Sequence, residues 1–141
     1  MELIYFGYSH LTRSIDRDLA RQGLGRAHHR ALYFIARQPN LTVSELLSLL
    51  AITKQSLGRV LNELTGRELV EIRPGERDRR QRLLRLTAVG AKLEADLFEA
   101  AREKMAAAYA RAGQQAVSGY WTVLEGLIPE EERPQVAKLG G

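Results

Sequence analysis

The chain of 141 residues contains no cysteine, and it has no apolar run close to the length of a membrane span. A protein without cysteine forms no disulfides, has no thiolate nucleophile and cannot sense oxidants through thiols, and a reducing compartment is compatible with it. A helix needs roughly 20 apolar residues to cross a bilayer. The N-terminus also lacks a basic segment followed by an apolar stretch, so we expect no signal peptide. We therefore expect a cytoplasmic protein with no membrane partner.

The sequence also lacks the short motifs of common enzymes, since it has no phosphate-binding loop, no Gly-x-Ser-x-Gly and no Cys–His pair. Acidic pairs such as Asp16 and Asp18 lie beside basic residues and are typical of a solvated surface. His28 and His29 are adjacent, so on a helix they point about 100° apart and one metal ion seldom uses both. Without cysteine or a His-x-x-x-His spacing, a zinc site is disfavoured. The sequence predicts no enzyme, no metal and no cofactor.

Positive charge is concentrated in one part of the chain. Overall, 21 basic residues stand against 17 acidic ones, which gives a net charge of +4. The segment from Lys54 to Thr87 holds nine basic and five acidic residues, a surplus of four, so the rest of the chain sums to zero. A local excess of this kind is a feature of proteins that bind nucleic acids.

Apolar periodicity predicts helices through the first half of the chain. The first runs from about Glu2 to Arg21 and the second from His28 to Arg37. Gly23 and Gly25 lie between them and indicate a helix stop and a loop. The sequence therefore predicts two helices separated by a loop.

A capping box and a second cap predict two more short helices. In Thr42-Val43-Ser44-Glu45, the Thr42 hydroxyl can accept from the Glu45 amide, and the Glu45 carboxylate can accept from the Thr42 amide. After the helix that this box starts, Thr53 is predicted to cap another, from about Lys54 to Arg67. Its buried face is predicted to consist of Leu57, Val60, Leu61 and Leu64. Its exposed face is predicted to carry Lys54, Gln55, Ser56, Arg59 and Asn62.

Two strands and a charged turn are predicted next, from Leu69 to Arg73 and from Leu83 to Leu86. Pro74-Gly75 opens the turn between them, and the residues from Glu76 to Arg82 form its tip. Thr87 is predicted to cap a helix from Ala88 to about Ala112, which would be about 37 Å long. Its apolar residues are too many to pack on one small domain, which indicates a dimer contact, although they would also suit a core.

The last helical segment is predicted to begin after Gly113, which breaks the long helix. It carries Val117, Tyr120, Trp121, Leu124 and Leu127, and Pro129 closes it.

Two helices joined by a tight turn are common in helical cores, so they do not by themselves indicate DNA binding. The exposed face of the predicted helix from Lys54 to Arg67 adds groups that bind bases, because Gln55, Ser56 and Arg59 can donate to or accept from base edges. Lys54 can reach a phosphate, and Arg59 could also contact only the backbone. Guanidinium groups crowd the turn, and such groups are drawn into a narrow, electronegative minor groove. Together these features favour double-stranded DNA as the partner.

Three segments carry a family resemblance. They are Thr53 to Val70, then Arg73-Pro74-Gly75-Glu76-Arg77-Asp78-Arg79-Arg80, then Leu86-Thr87-Ala88-Val89-Gly90. Together with the order of helices, they resemble the MarR family of winged helix-turn-helix transcription regulators. The resemblance implies a mainly α fold with a small β-wing, in one unit over 1–141. A winged DNA-binding region would span 28–87, and helical dimerisation regions would span 1–22 and 88–138.

The same resemblance implies a homodimer, formed by the first helix and the last two, that binds a pseudo-palindromic operator, and a repressor as its role. The recognition helix would enter the major groove and the wing the minor groove. Asp78 would orient Arg80 in the minor groove, while Arg77 and Arg79 would lie beside the DNA backbone. The residues expected at DNA are Thr53, Lys54, Gln55, Ser56, Arg59, Arg73, Arg77, Asp78, Arg79 and Arg80. Without the resemblance, Asp78 and Arg80 would be interpreted as an ordinary solvated ion pair.

One position departs from the family pattern, because Glu68 stands where the family usually has glycine after the recognition helix. A left-handed residue at the end of a helix costs more free energy when it is not glycine. This helix end could therefore have a different shape, which would change the register of the strand after it.

The resemblance further implies a small-molecule effector, of phenolic or aromatic type, between the dimer helices and the winged region. Tyr8, His10, Tyr33 and Tyr120 are the candidates to line its site, although aromatic residues at helix junctions are more often core. The competing function is a winged helix that binds proteins. Such a domain should carry apolar anchors on its exposed helix or wing, where this chain carries arginines.

Overall fold

The computed structural model describes residues 1–76 and 78–139. Within these ranges the chain forms seven helices and three short strands. The elements are α1 (Glu2–Arg21), α2 (Arg26–Arg37), β1 (Leu41–Thr42), α3 (Val43–Leu50), α4 (Lys54–Gly66), β2 (Val70–Pro74), β3 (Arg82–Leu86), α5 (Ala88–Ala112), α6 (Gln114–Leu127) and α7 (Arg133–Leu139). This is a mainly helical fold with a small antiparallel sheet, as the sequence predicted.

Threonine side chains begin three of the helices, at the positions that the sequence predicted. The Glu45 amide donates to the Thr42 hydroxyl at 3.2 Å, and the Thr42 amide donates to the Glu45 carboxylate at 2.8 Å, which completes the capping box of α3. Thr53 accepts from the Ser56 amide at 3.1 Å. Each cap satisfies amides that have no partner within the helix, so it fixes where the helix starts.

The core lies where α2, α3 and α4 pack on the sheet and on the ends of α1 and α5. Leu57, Val60, Leu61 and Leu64 are buried, which confirms the predicted inner face of α4. The largest fully buried side chains are Leu19, Leu32, Ile35, Leu41, Leu46, Leu50, Leu57, Leu64 and Leu84. Because the inner face of α4 is fixed in this core, its opposite face has a defined direction.

The sheet has the order β1-β3-β2, and both pairs of strands are antiparallel. In the hairpin, Val70 pairs with Leu86, Ile72 with Leu84 and Pro74 with Arg82. The strand β1 was not predicted, because two residues are too few to show periodicity and β1 exists only through its pairing with β3. The predicted strands were each one residue off, since β2 starts at Val70 and β3 at Arg82.

The end of α4 keeps a left-handed residue without glycine. Glu68 has φ +56°, its amide donates to the Thr65 carbonyl, and the Leu69 amide donates to the Leu64 carbonyl. These two bonds form the Schellman arrangement that usually carries glycine at this position. The departure from the family pattern therefore changes the strain of the helix end but leaves its shape intact, and β2 follows directly.

Gly90, in the first turn of α5, lies against the backbone at the start of the wing. A Cβ there would come within 1.9 Å of the Leu69 carbonyl oxygen. Thr87 caps the same turn, accepting from the Gly90 amide at 3.0 Å, and its own hydroxyl donates to the Glu68 carbonyl. The long helix is thus attached closely to the end of α4.

The helices α1, α5 and α6 extend away from this core. α5 contacts α1, α2 and α6. No helix within 1–76 and 78–139 has the length and apolar character that crossing a membrane requires. The helix α7 was not predicted, since Pro134 lies in its first turn and Pro129 before it indicated only the end of α6.

Candidate nucleic-acid interface

The outward face of α4 carries the polar residues that the sequence assigned to DNA. Lys54, Gln55, Ser56 and Arg59 are all exposed, while Leu57 and Val60 between them are buried. The Thr53 hydroxyl donates to the Ser56 Oγ at 2.9 Å and accepts from the Ser56 amide. Ser56 is thereby held at the first turn, with its own hydroxyl proton available to an outside acceptor.

Gly58 is a feature of this face that sequence reasoning missed. It lies one turn from Gln55 and beside Arg59, and a Cβ there would meet nothing within 4 Å. Glycine costs about 1 kcal/mol relative to alanine in an exposed helix interior. A residue that small allows another surface to approach the helix backbone closely. The signal in the sequence was an isolated glycine within a helical pattern.

The turn between β2 and β3 is closed by its own backbone. The Gly75 amide donates to the Gln81 carbonyl at 2.9 Å, and the Gln81 amide donates to the Asp78 carbonyl at 3.0 Å. The Asp78 carboxylate accepts from the Arg80 amide at 2.9 Å. Asp78 therefore shapes the backbone that carries Arg80, and the contact runs to the main chain of Arg80.

Arginines project from this turn into solvent. Arg79, Arg80 and Arg82 are exposed, while Arg77, which was also predicted to contact DNA, lies outside the described residues. Arg73 is exposed on β2 and forms an ion pair with Glu71 at 2.9 Å. Part of its charge is therefore already balanced within the protein.

Three of the four predicted ligand residues lie together, and the fourth lies elsewhere. Tyr8, His10 and Tyr120 line a groove of about 870 Å³ between α1, α5 and α6. Lys104 and Arg111 place positive charge in its lining. The rest of the lining is mainly apolar. A groove of this kind suits a small anion with an apolar body, or a contact with another protein.

Tyr33 lies instead at the junction of α2 with α5, beside a buried ion pair. Arg37 contacts Glu94 at 2.7 Å, and the exposed fractions of the two side chains are 19% and 9%. The Arg37 guanidinium carbon lies 3.5 Å from the ring centroid of Tyr33 and 4.5 Å from that of Phe98. Arg37 also donates to the Tyr33 carbonyl at 3.1 Å. Tyr33 is thus part of a filled junction between the winged region and the long helix.

His29 lies beside this junction. Burial lowers the pKa of His29, while the charges of Glu94 and Asp16 act in the opposite direction and that of Arg37 lowers it further. Its Nε2 atom has no hydrogen-bond partner among the described residues. The neutral imidazole is therefore the form that the folded protein favours.

The protein has a helix with an exposed polar face above an apolar inner face, and a two-stranded wing follows that helix. These features define its class as a winged helix-turn-helix. Comparison with known proteins agrees. The model of the MarR family matches residues 22–81. The HTH-type transcriptional regulator PetP of Rhodobacter capsulatus is 52% identical over 128 residues, which cover 91% of this chain and 77% of that protein.

Solved structures share the fold at low sequence identity. A mutant of MarR from E. coli complexed with operator DNA has a TM-score of 0.68 and 21% identity, over 91% of this chain and 92% of that one. NadR in complex with 4-hydroxyphenylacetate has a TM-score of 0.74 and 22% identity, over 88% of each chain. The chain belongs to the MarR family. It is a DNA-binding transcriptional regulator and not an enzyme.

Proposed function

We propose that the protein is a homodimeric regulator that binds a specific pseudo-palindromic DNA site and represses transcription from it. The helix α4 would read base edges in the major groove, and the turn between β2 and β3 would place arginines in the minor groove. The observation that carries this proposal is the outward face of α4, where Gln55, Ser56 and Arg59 are exposed above a fully buried apolar face. Because chromosomal DNA is the proposed partner, we place the protein in the cytoplasm.

Support for a homodimer comes from apolar side chains left exposed on α1 and α6. Tyr5 and Phe6 are 69% and 57% exposed, and Trp121 is 50% exposed. The others are Met1, Leu3, Ile4, Tyr8, Tyr120, Val123 and Leu127. So many exposed apolar side chains on two helices favour a partner surface, since burying apolar area is favourable by about 25 cal/mol per Å². A second copy pairing through these helices would cover it.

Sedimentation velocity at micromolar concentration tests the dimer. We expect a single dimeric species, and we expect Phe6→Glu with Trp121→Glu to shift it to monomer. The matched control is Val89→Glu, because Val89 is 63% exposed but lies at the start of α5, away from the apolar faces of α1 and α6. A wild-type protein that stays monomeric would refute the dimer.

Support for DNA as the ligand comes from the charge and polarity of the two exposed elements. Neither α4 nor the wing presents an aromatic or aliphatic anchor among its exposed described residues, whereas exposed arginines lie on both. The MarR mutant complexed with operator DNA has the same fold along nearly its whole length. A symmetric pair of such elements would favour half-sites about 10 base pairs, or ~34–36 Å, apart.

Selection of duplexes from a random pool tests sequence-specific binding directly. We expect enrichment of an inverted repeat. If 6–10 phosphates are contacted, affinity for that repeat should fall about 10³–10⁵-fold between 50 and 200 mM salt.

We expect Arg80→Ala to weaken binding to all duplexes. Gln55→Ala or Arg59→Ala should instead reduce discrimination at particular base pairs by ~1–3 kcal/mol each. An unenriched pool with a flat salt profile would favour the alternative, a protein-interaction module.

We also propose that an aromatic or phenolic anion regulates DNA binding through the groove lined by Tyr8, His10 and Tyr120. Its apolar walls suit a ring, and Lys104 and Arg111 suit a carboxylate. NadR, which shares the fold, was solved in complex with 4-hydroxyphenylacetate. Such an effector releases DNA only if it binds one dimer geometry better than the other.

Titration of the DNA-bound protein with 4-hydroxyphenylacetate tests this step. We expect release of the duplex by the wild type and weaker release by Arg111→Ala. If the ligand binds neither the free protein nor the complex, the effector proposal fails for this class of compound while DNA binding stands.

A further inference from the structure

The turn between α1 and α2 is joined to the recognition helix α4 by two side-chain contacts. Arg67 follows the last residue of α4, and its guanidinium donates to the Gln22 carbonyl, which follows the last residue of α1. One helix turn earlier on α4, Glu63 contacts His28 near the start of α2. The two contacts leave α4 from positions four residues apart, so they lie on the same side of that helix.

The first contact joins the ends of two helices. The Gln22 carbonyl lies at the C-terminus of α1, where carbonyls lack partners within the helix and the helix dipole favours a cation. Gly23 follows with φ +66°, its amide donates to the Ala20 carbonyl, and the Leu24 amide donates to the Leu19 carbonyl. This arrangement fixes the direction of the Gln22 carbonyl, and Leu24 is buried in the core. Arg67 therefore contacts a rigid part of α1.

The second contact runs through His28, whose side chain is 14% exposed. Its Nδ1 accepts from the Gly25 amide at 3.1 Å, which caps α2 and leaves Nε2 as the ring nitrogen that can donate. Nε2 lies 2.7 Å from a carboxylate oxygen of Glu63, but the direction of the N–H falls outside hydrogen-bond geometry. The contact is therefore between the dipole of the ring N–H and the carboxylate. It joins α4 to the first turn of α2, directly after the turn that Arg67 contacts.

These contacts lie closer to the C-terminal end of α4 than its proposed DNA-binding residues do. Glu63 is four residues and Arg67 eight residues beyond Arg59, the nearest of them, which corresponds to about 6 and 12 Å along the helix. The Arg67 contact joins α4 to the end of α1, and the His28 contact joins α4 to the first turn of α2, directly after the same connection. α1 belongs to the proposed dimer interface, so the position of α4 relative to the dimer axis depends on this turn.

We propose that Arg67 and His28 are positioning residues. They tie the recognition helix to the end of α1 and the start of α2, on either side of the turn between those helices, and so set the separation of the two recognition helices in the dimer. This inference rests on the proposed homodimer and its DNA site. One base pair added between half-sites moves them about 3.4 Å apart and rotates them by about a tenth of a turn. A dimer with a fixed separation discriminates strongly against such a change, and a dimer with loosened helices discriminates less.

The test measures how strongly each variant prefers the spacing of the duplex that wild-type protein selects from a random pool. Affinities are measured for that duplex and for versions with one base pair inserted or deleted between the half-sites. We expect Arg67→Ala, and Arg67→Met, which keeps the aliphatic stem, to reduce the preference for the selected spacing about fivefold or more. Arg67→Lys keeps a donor and should restore most of the preference.

A matched control separates this role from charge and stability. Arg21 lies in the last turn of α1 and pairs with Asp18 on its own helix, so Arg21→Ala removes the same charge near the same turn without breaking a contact between helices. We expect it to keep the wild-type spacing preference. The salt slope of binding should not change in the Arg67 variants, whereas a lost phosphate contact would reduce it by about 0.9.

For His28, the test is coupling with Glu63. We expect His28→Ala and Glu63→Ala to loosen the spacing preference, and the double variant to be no looser than either single one. Additive effects would remove His28 from the proposal.

The inference for Arg67 would be overturned if its variants keep the spacing preference of Arg21→Ala, or if they show a reduced salt slope. If the wild type selects no duplex, the proposed function fails; if it does and the variants behave like the control, this inference alone fails.

Discussion

Removing the positive member of the buried pair between Arg37 and Glu94 should destabilise the protein strongly. Arg37→Met keeps an apolar stem between the rings of Tyr33 and Phe98, but it leaves the Glu94 carboxylate without a partner in a site where that side chain is only 9% exposed. Breaking one side of a buried pair costs about 3–5 kcal/mol. Because Arg37 is 19% exposed and water can reach the gap, we expect the lower part of that range.

A second substitution tests whether the stability lost in Arg37→Met comes from the unpaired charge of Glu94 or from lost packing. In Arg37→Met with Glu94→Leu, no charge is left in the site, and replacing a buried ion pair by apolar residues is often neutral or stabilising. We therefore expect the double variant to recover most of the stability that Arg37→Met loses. Arg102 and Glu99, also on α5, form an exposed pair, so Arg102→Met is the control and should change little.

Urea unfolding followed by circular dichroism gives the free energies, at one fixed protomer concentration, because the stability of a dimer depends on concentration. A loss below about 1 kcal/mol for Arg37→Met, or a double variant less stable than the single one, would refute the reasoning. In either case the junction between α2 and α5 would owe its stability to the aromatic contacts and not to the ion pair.

Four further outcomes follow from local geometry. Glu68→Gly should stabilise the protein by up to about 1 kcal/mol in urea unfolding, because Glu68 holds φ +56°. Gly90→Ala should lose about 3 kcal/mol or more, since its Cβ would lie 1.9 Å from the Leu69 oxygen. Gly58→Ala should raise the melting temperature yet weaken DNA binding; unchanged binding would show that α4 does not approach DNA there. Because burial lowers the pKa of His29, the unfolded state binds the proton first, so stability should fall as pH drops below about 6.5, and His29→Gln should flatten that slope.

Much of the fold was predictable because its signals are local. The capping residues Thr42, Thr53 and Thr87 each lie next to the amide that they satisfy, so sequence order alone identified where three helices begin. The inner face of α4 was predicted correctly from leucine and valine spacing. The strand β1 escaped prediction because its two residues pair with a strand some forty positions later, and no local pattern records such a partner.

The candidate site was predictable in its residue types but not in its contacts. Gln55, Ser56 and Arg59 were assigned from their positions on a helix, and their exposure agrees with that assignment. The contact from Arg67 to Gln22 joins residues 45 positions apart, and the pair of Arg37 with Glu94 joins residues 57 apart. In the sequence both arginines resemble ordinary surface cations, since tertiary structure alone decides which carbonyl or carboxylate they meet.

The outer strand of the wing, β2, has one more consequence for the protein in the cell. Since the Gly75 amide points to β3, the alternation of strand backbone places the nitrogen of Pro74 on the outer edge. Proline has no N–H to offer there, and the charged side chains of Glu71 and Arg73 lie on the same strand. An exposed edge of this kind otherwise recruits strands from other molecules and starts aggregates. When no DNA is bound, the wing can therefore extend into solvent without pairing with strands of other protein molecules.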